Sequence, residues 1–275
     1  MNQRADSDAR DPGSRQEHWV RRFLQDGALA WETRENVVLF LCLLPVVVAL
    51  AGAGSALLGK GVYKWVTGED HLAEILQVLF YVLALAGAIA VTHHFSVTKR
   101  HGLALLYLLL CTGLFFLLGE ELSWGQRLLG WSTPEHLRAV NKQGETNLHN
   151  IEGVGSTFKW LQMMVGAYGT LLPLALLRWP ALQQRFSASR WLVPHPTLIP
   201  YFTLLFLWRF YRNFFEPPQR LYFVVSEYNE VLELVLAMGF FLFVNFQRRA
   251  LRHERREAAA SAPAWMPVGG GVAHP

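Results

Sequence analysis

Cysteine and charged residues are both scarce in this sequence. The 275 residues include two cysteines, Cys42 and Cys111, and both lie within apolar runs. Two thiols placed in this way predict neither a disulfide framework nor a cysteine zinc site. Charged residues make up 17% of the chain, whereas soluble domains usually carry about 25%. The shortage of charge therefore disfavours an ordinary soluble protein.

The apolar residues are gathered into six runs of about 16–22 residues, roughly the length a helix needs to cross the hydrocarbon core of a membrane. We therefore predict an all-α, polytopic integral membrane bundle of about six transmembrane helices with no separate soluble domain. The predicted spans are residues 37–58, 72–92, 103–121, 160–177, 197–215 and 227–246.

The predicted membrane domain, residues 37–246, has a polar segment on each side. Residues 1–36 form a leader, in which Glu17 to Trp31 are expected to make an amphipathic helix on the membrane surface. No cleavable signal is evident in it. Residues 247–275 are predicted to be a basic and then disordered tail.

The net charge of +4 does not indicate nucleic-acid binding, because the basic residues flank apolar runs instead of forming one face. Their distribution predicts orientation, since cytoplasmic loops of membrane proteins are enriched in Lys and Arg. The leader, the second and fourth connections and the tail carry 16 of them, and the other connections together with the end of the fifth span carry 9. We predict a cell (inner) membrane protein with both termini cytoplasmic, and the inverted topology is the alternative.

Two adjacent glutamates, Glu120 and Glu121, end the third predicted span. About 20 residues separate them from Lys99 and Arg100, so a helix rising about 1.5 Å per residue reaches the opposite edge of the hydrocarbon there. Neighbouring residues on a helix diverge by about 100°. One glutamate is therefore expected to face the bundle, and the sequence does not say which. An ordinary helix end in water is the alternative.

A polar segment, residues 141–150, lies in the connection after that span. It carries three Asn, a Gln, a Glu and a His. His149 is its one side chain that exchanges protons near neutral pH, and it is also a candidate metal ligand. We interpret the segment as an interfacial loop that lines a site. An ordinary surface loop is the alternative, because Asn favours turns.

The fifth predicted span carries Arg209 and Arg212 on one helix face. Charges at such depth are nearly always paired. Glu227, Glu230 and Glu233, at the start of the sixth span, are the candidate partners. A purely structural ion-pair network is the alternative to a functional site.

These features converge on the outer half of the predicted bundle, because alternate spans run in opposite directions. Glu74 of the second span falls at the same level. The predicted catalytic residues are Glu120, Glu121 and His149. The predicted substrate-binding residues are Arg209, Arg212, Asn147, Gln126 and Arg127. A divalent metal, if the protein uses one, is expected at Glu121, His149, Glu227 and Glu230.

Two motifs lie within residues 118–151, namely Glu120-Glu121-x-Ser123-Trp124-Gly125-Gln126-Arg127 and Asn141-x-Gln143-x-Glu145-x-Asn147-x-His149-Asn150. Together they resemble a signature of uncharacterised bacterial multi-pass membrane proteins, which implies no established reaction. The glutamate pair is similar to that of CAAX-protease-like glutamate proteases. However, Arg127 lies one or two residues too far along, and the expected histidine motifs do not follow.

Two functions fit this pattern. The first is a membrane-embedded hydrolase or transferase acting on a lipid or lipid-linked substrate, with a glutamate as general base, His149 as its acid/base partner and the arginines on a phosphate or carboxylate. The second is a non-enzymatic transporter or envelope-assembly subunit, whose ion pairs are structural or proton-coupling. The absence of an obvious internal repeat disfavours a transporter.

Overall fold

The computed structural model describes residues 12–151, 153–185 and 188–261, which form helices joined by turns. No strand occurs in these ranges, and one isolated antiparallel bridge joins Asn141 to Ile151. The α-helices are α1 (Pro12–Ala30), α2 (Glu35–Gly54), α3 (Lys60–Thr67), α4 (Leu72–Val97), α5 (His101–Glu121), α6 (Gln126–Leu129), α7 (Glu135–Arg138), α8 (Gly155–Arg178), α9 (Pro180–Arg185), α10 (Ser189–Leu192), α11 (Ile199–Phe214), α12 (Tyr222–Glu227) and α13 (Asn229–Ser261). The all-α prediction is confirmed for the described residues.

Five helical segments are long and apolar enough to cross a membrane. They are Glu35–Leu58, Lys60–Val97, His101–Glu121, Gly155–Arg178 and Gln219–Ser261. These segments contain five of the six predicted spans. The remaining prediction, residues 197–215, corresponds to α11, whose 16 residues extend about 24 Å at 1.5 Å per residue. That is less than the roughly 30 Å of a hydrocarbon core, and α11 is not among the five.

Apolar side chains cover the outside of this bundle. In α2, Phe40, Leu43, Val47 and Leu50 are each at least half exposed. Only 22% of the apolar window is buried in each of α2, α5 and α8, against 61% in α13. A soluble protein rarely exposes large contiguous apolar patches. The exposed apolar faces and the lengths of these five segments suggest a membrane protein, in which α13 is the most buried of the five.

Glycines let the outer helices approach closely. A Cβ on Gly52 of α2 would lie 2.7 Å from a methyl carbon of Val231. A Cβ on Gly166 of α8 would lie 2.9 Å from the main-chain nitrogen of Phe206 in α11. Small residues thus bring α2 against α13 and α8 against α11.

The structure corrects the predicted end of the last span. Helix α13 continues to Ser261, so the part of the predicted tail up to that residue is helical. Ala, Arg, Leu and Glu dominate this stretch and are strong helix formers. Glu254 also accepts from Arg100 at 3.2 Å and from Arg190. Residues 1–11 and 262–275 lie outside the described residues.

A second correction concerns the start of that span. The sequence predicts one helix from Glu227, but a break at Tyr228 separates α12 from α13. Glu227 therefore ends the short helix α12, whereas Glu230 and Glu233 belong to α13. Tyr228 keeps a right-handed helical backbone, so the interruption is slight and Gln219–Ser261 remains one helical segment.

Candidate functional site

A left-handed turn closes α5 and folds the following loop back over its end. Ser123, Trp124 and Gly125 all have positive φ angles, of 46°, 54° and 93°. Such a conformation is unfavourable for non-glycine residues. Hydrogen bonding holds it in place, because the Trp124 indole Nε1 donates to Glu120 Oε1 at 2.7 Å. The turn brings residues 141–151 next to the last turn of α5.

Glu120 fastens this loop to the bundle. Its side chain is 2% exposed, and its Oε2 accepts from the main-chain N–H groups of Leu148 and His149, both at 2.8 Å. The same oxygen lies 3.2 Å from Nδ1 of His149. Glu120 is therefore the inward-facing member of the pair and has a donor on each oxygen. Glu121 is half-buried beside it.

Most of the other polar residues of the two motifs hold the loop together. We call them the loop network, which comprises Ser123, Gln126, Asn141, Glu145, Thr146 and Asn147. Glu145 Oε2 accepts from Ser123 Oγ at 2.6 Å and from Asn147 Nδ2 at 2.7 Å. Asn141 Nδ2 donates to Asn147 Oδ1 at 2.9 Å, and its own Oδ1 accepts from the Gln143 main chain. The motif spacing therefore has a structural basis.

A cavity of about 450 Å³ opens beside this loop, within the range typical of small-molecule sites. Its lining includes seven residues that the sequence analysis assigned to the outer half of the bundle. They are Glu74, Glu120, Glu121, His149, Arg209, Arg212 and Glu230. The structure therefore brings the end of α5, the polar loop and the charged faces of α11 and α13 around one space.

Three described residues that were proposed for the site do not line the cavity: Gln126, Asn147 and Glu227. Gln126 and Asn147 are engaged in the loop network, where Gln126 Oε1 accepts from the Thr146 main chain at 2.9 Å. Glu227 is on α12, beyond the break. The side chain of Arg127 lies outside the described residues.

The deep wall of the cavity contains a buried ion pair. Arg209 Nη2 donates to Glu233 Oε1 at 2.9 Å, and both side chains are about nine-tenths buried. Gln162 bridges them, accepting from Arg209 Nε at 2.5 Å and donating to Glu233 Oε1 at 2.9 Å. Asn229 also donates to Glu233. Of the three glutamates proposed as partners of the arginines, Glu233 is the one that pairs with Arg209.

Sequence reasoning missed Lys159, Gln162 and Trp208, which also line the cavity. One sequence feature pointed to Trp208: it lies four residues before Arg212 and therefore on the same helix face. Gln162 is a lone polar residue in the apolar run of α8. Neither signal identifies the partner helix, which depends on packing.

The predicted metal ligands do not form a metal centre. Across residues 12–151, 153–185 and 188–261, no three His, Cys, Asp or Glu side chains converge closely enough to hold a metal ion. Glu121, His149 and Glu230 do line the same cavity, but Glu227 does not. Three of the four candidate metal ligands therefore share the cavity, and Glu227 is not among its lining residues.

His149 is positioned to exchange protons at the cavity wall. Its side chain is 34% exposed, and its ring meets that of Phe158 edge-on. Burial alone would lower the pKa of the imidazole. The hydrogen bond with Glu120 and the negative charges of Glu233 and Glu120 outweigh burial, so the pKa of His149 is raised above its ordinary value. With Nδ1 directed at Glu120, Nε2 is the nitrogen left for a ligand.

The loop is expected to become less stable as the pH rises through the raised pKa of His149. When folding raises the pKa of a histidine, its protonated form stabilises the folded protein. This stabilisation is complete below the ordinary histidine pKa of about 6.5 and disappears as the pH rises through the raised pKa. Hydrogen exchange in residues 141–151 from about pH 5 to pH 9, corrected for intrinsic exchange, tests this. His149→Gln should flatten the profile and the exposed control His136→Ala should not. The same profile in wild type and His149→Gln would contradict the assignment.

No protein-family model, no curated protein and no solved structure matches this chain. Function is therefore inferred from the chemistry of the site.

Proposed function

We propose that this protein is a membrane-embedded hydrolase or transferase that acts on a lipid or lipid-linked substrate. The observation that carries the proposal is the Glu120–His149 pair at the wall of the cavity. A carboxylate that orients a histidine, which in turn faces a substrate-sized space, is a recurrent arrangement in acid–base catalysis. An ion pair needed only for folding would not require an adjoining cavity of this size.

The proposed roles follow from the contacts. Glu120 is a positioning residue, because its oxygens are engaged by the loop and the ring of His149. His149 Nε2 would take the proton of a water molecule or substrate hydroxyl as that oxygen attacks the ester bond. It would then return the proton to the leaving-group oxygen. Glu121 and Glu230, which share the cavity, are the candidates to bind the attacking group.

The proposal places the protein in the inner membrane of a bacterium, with α11 as a sixth, short span, both termini in the cytoplasm and the cavity toward the outer face. The support is the excess of Lys and Arg in the leader, the tail and the second and fourth connections. A lipid could then reach the site from the membrane, because the cavity lies where α5 ends and the polar loop begins. Exposed Leu128, Leu129 and Trp131 nearby fit an interfacial position.

A lipid comparison tests the proposed activity. Membranes from cells producing wild type and His149→Ala would be analysed by untargeted mass spectrometry of lipids and lipid-linked precursors. The purified proteins would then be incubated with any species that differs. We expect at least one lipid to be converted by wild type, and the rate to fall about 100-fold in His149→Ala.

The exposed control His136→Ala should convert the lipid at the wild-type rate. Conversion that is equally fast in His149→Ala would overturn the catalytic assignment. If no lipid is converted by the folded wild-type protein, the non-enzymatic alternative of a transporter or envelope-assembly subunit is favoured.

A further inference from the structure

Two buried donors in the cavity have no partner among the described residues. They are Nε1 of Trp208 and Nη1 of Arg212. Trp208 and Arg212 are four residues apart on α11 and therefore share one face, and both line the cavity. Burying a polar group without a hydrogen bond is unfavourable, most of all for a charged one. This wall of the cavity is thus built for a ligand that accepts hydrogen bonds.

Like charges are gathered at the same wall. Lys159 of α8 lines the cavity and lies close enough to Arg209 and Arg212 for their charges to repel it. Arg209 is neutralised by Glu233. Neither Lys159 nor Arg212 has an ion pair or a hydrogen bond to another described residue, and a bound anion would offset the repulsion between them.

The acidic residues that line the cavity belong to other elements than these two cations. Glu120 and Glu233 are engaged by the donors described above, and Glu69 accepts from Gln143 at 2.5 Å. The other acidic lining residues, Glu74, Glu121 and Glu230, come from α4, α5 and α13, whereas Lys159 and Arg212 come from α8 and α11. Lys159 and Arg212 therefore remain cations of the cavity without an ion pair among the described residues.

We infer that Trp208, Arg212 and Lys159 form a subsite for the phosphate of a phospholipid head group. This inference rests on the proposed function, since it assumes that the cavity receives a lipid. A guanidinium binds phosphate oxygens through two parallel N–H groups, an ammonium adds a point charge, and the indole N–H supplies a further donor. Phosphate has enough oxygens to engage all three. Arg209, which the sequence suggested for this role, is instead committed to Glu233.

Binding of short-chain lipids to the purified full-length protein in detergent tests the subsite. The probes are dioctanoyl phosphatidic acid, dioctanoyl phosphatidylglycerol, dioctanoylglycerol and inorganic phosphate, each titrated by native mass spectrometry and by thermal shift. We expect both phospholipids to bind and dioctanoylglycerol to bind at least about 10-fold more weakly, since it lacks the charged acceptor.

Arg212→Ala should weaken phospholipid binding about 10- to 100-fold. Trp208→Phe, which keeps an aromatic side chain but removes the N–H, should weaken it about 5-fold, and it serves as the decisive variant if Arg212→Ala does not fold. The exposed control Arg220→Ala should bind as wild type does. Equal binding of dioctanoylglycerol, or wild-type affinity in both Arg212→Ala and Trp208→Phe, would overturn the inference.

Inorganic phosphate distinguishes a site for a phospholipid head group from a site for free phosphate. If it binds weakly and competes only at high concentration, the lipid is the ligand. If it alone reproduces the full affinity with the same dependence on Arg212, the phospholipid assignment is overturned. His149→Ala should retain binding, so phospholipid binding without any conversion would contradict the proposed enzyme and leave the subsite intact. If Arg212→Ala converts the lipid as fast as wild type does, the phosphate subsite is overturned and the proposed enzyme is not.

Discussion

Arg209→Ala is expected to destabilise the folded protein by about 3–5 kcal/mol, because removing one member of a buried ion pair leaves the other charge uncompensated. The partner left behind is Glu233, which is about nine-tenths buried like Arg209 itself. Gln162 and Asn229 still donate to it, but neither carries a positive charge. Gln162 also loses the Arg209 N–H that its own oxygen accepts.

Unfolding in detergent, followed by intrinsic fluorescence against temperature and denaturant, measures this change. The double variant Arg209→Leu, Glu233→Leu should recover most of the stability, since it removes both charges and fills the space with apolar side chains. Exposed Arg178 at the end of α8 is the matched control, and Arg178→Ala should change stability by less than about 0.5 kcal/mol. If Arg209→Ala is no less stable than Arg178→Ala, the deep ion pair does not hold α11 to α13.

Glu120→Ala is expected to release the polar loop, with a loss of about 3 kcal/mol in its local stability. The substitution removes the acceptor of the Trp124 indole and of the Leu148 and His149 main-chain N–H groups. Those groups are enclosed between α5 and the loop, so leaving them without an acceptor is unfavourable. The left-handed turn at Ser123 and Trp124 loses the hydrogen bond that holds it.

Hydrogen exchange measures the release residue by residue. The amides of Leu148 and His149 should exchange about 100-fold faster in Glu120→Ala, while the central part of α13 stays protected. Glu120→Gln keeps one acceptor oxygen and should give an intermediate rate. Glu135→Ala, an exposed change on α7, is the control. Unchanged exchange across residues 141–151 in Glu120→Ala would mean that this carboxylate does not fasten the loop.

The prediction of a membrane protein came from the sequence alone, because run length and charge are local properties. Five helical segments long and apolar enough to cross a membrane support it. The alternating direction of the predicted spans also led us to expect the ends of α5 and α11 and the start of α13 at one level. The structure brings Glu120, Glu121, Arg209 and Arg212 to one cavity.

Only the tertiary structure decided what each charged residue does. Adjacent residues on a helix point about 100° apart, so the rotation of α5 within the bundle determined that Glu120 is buried and Glu121 lines the cavity. The packing of α13 against α11 paired Arg209 with Glu233, and Glu227 lies outside the cavity lining. Hydrogen bonds between distant positions, from Thr146 to Gln126 and from Asn147 to Ser123, made Gln126 and Asn147 part of the loop network. Such pairings depend on how helices pack, and packing is not a local property of the sequence.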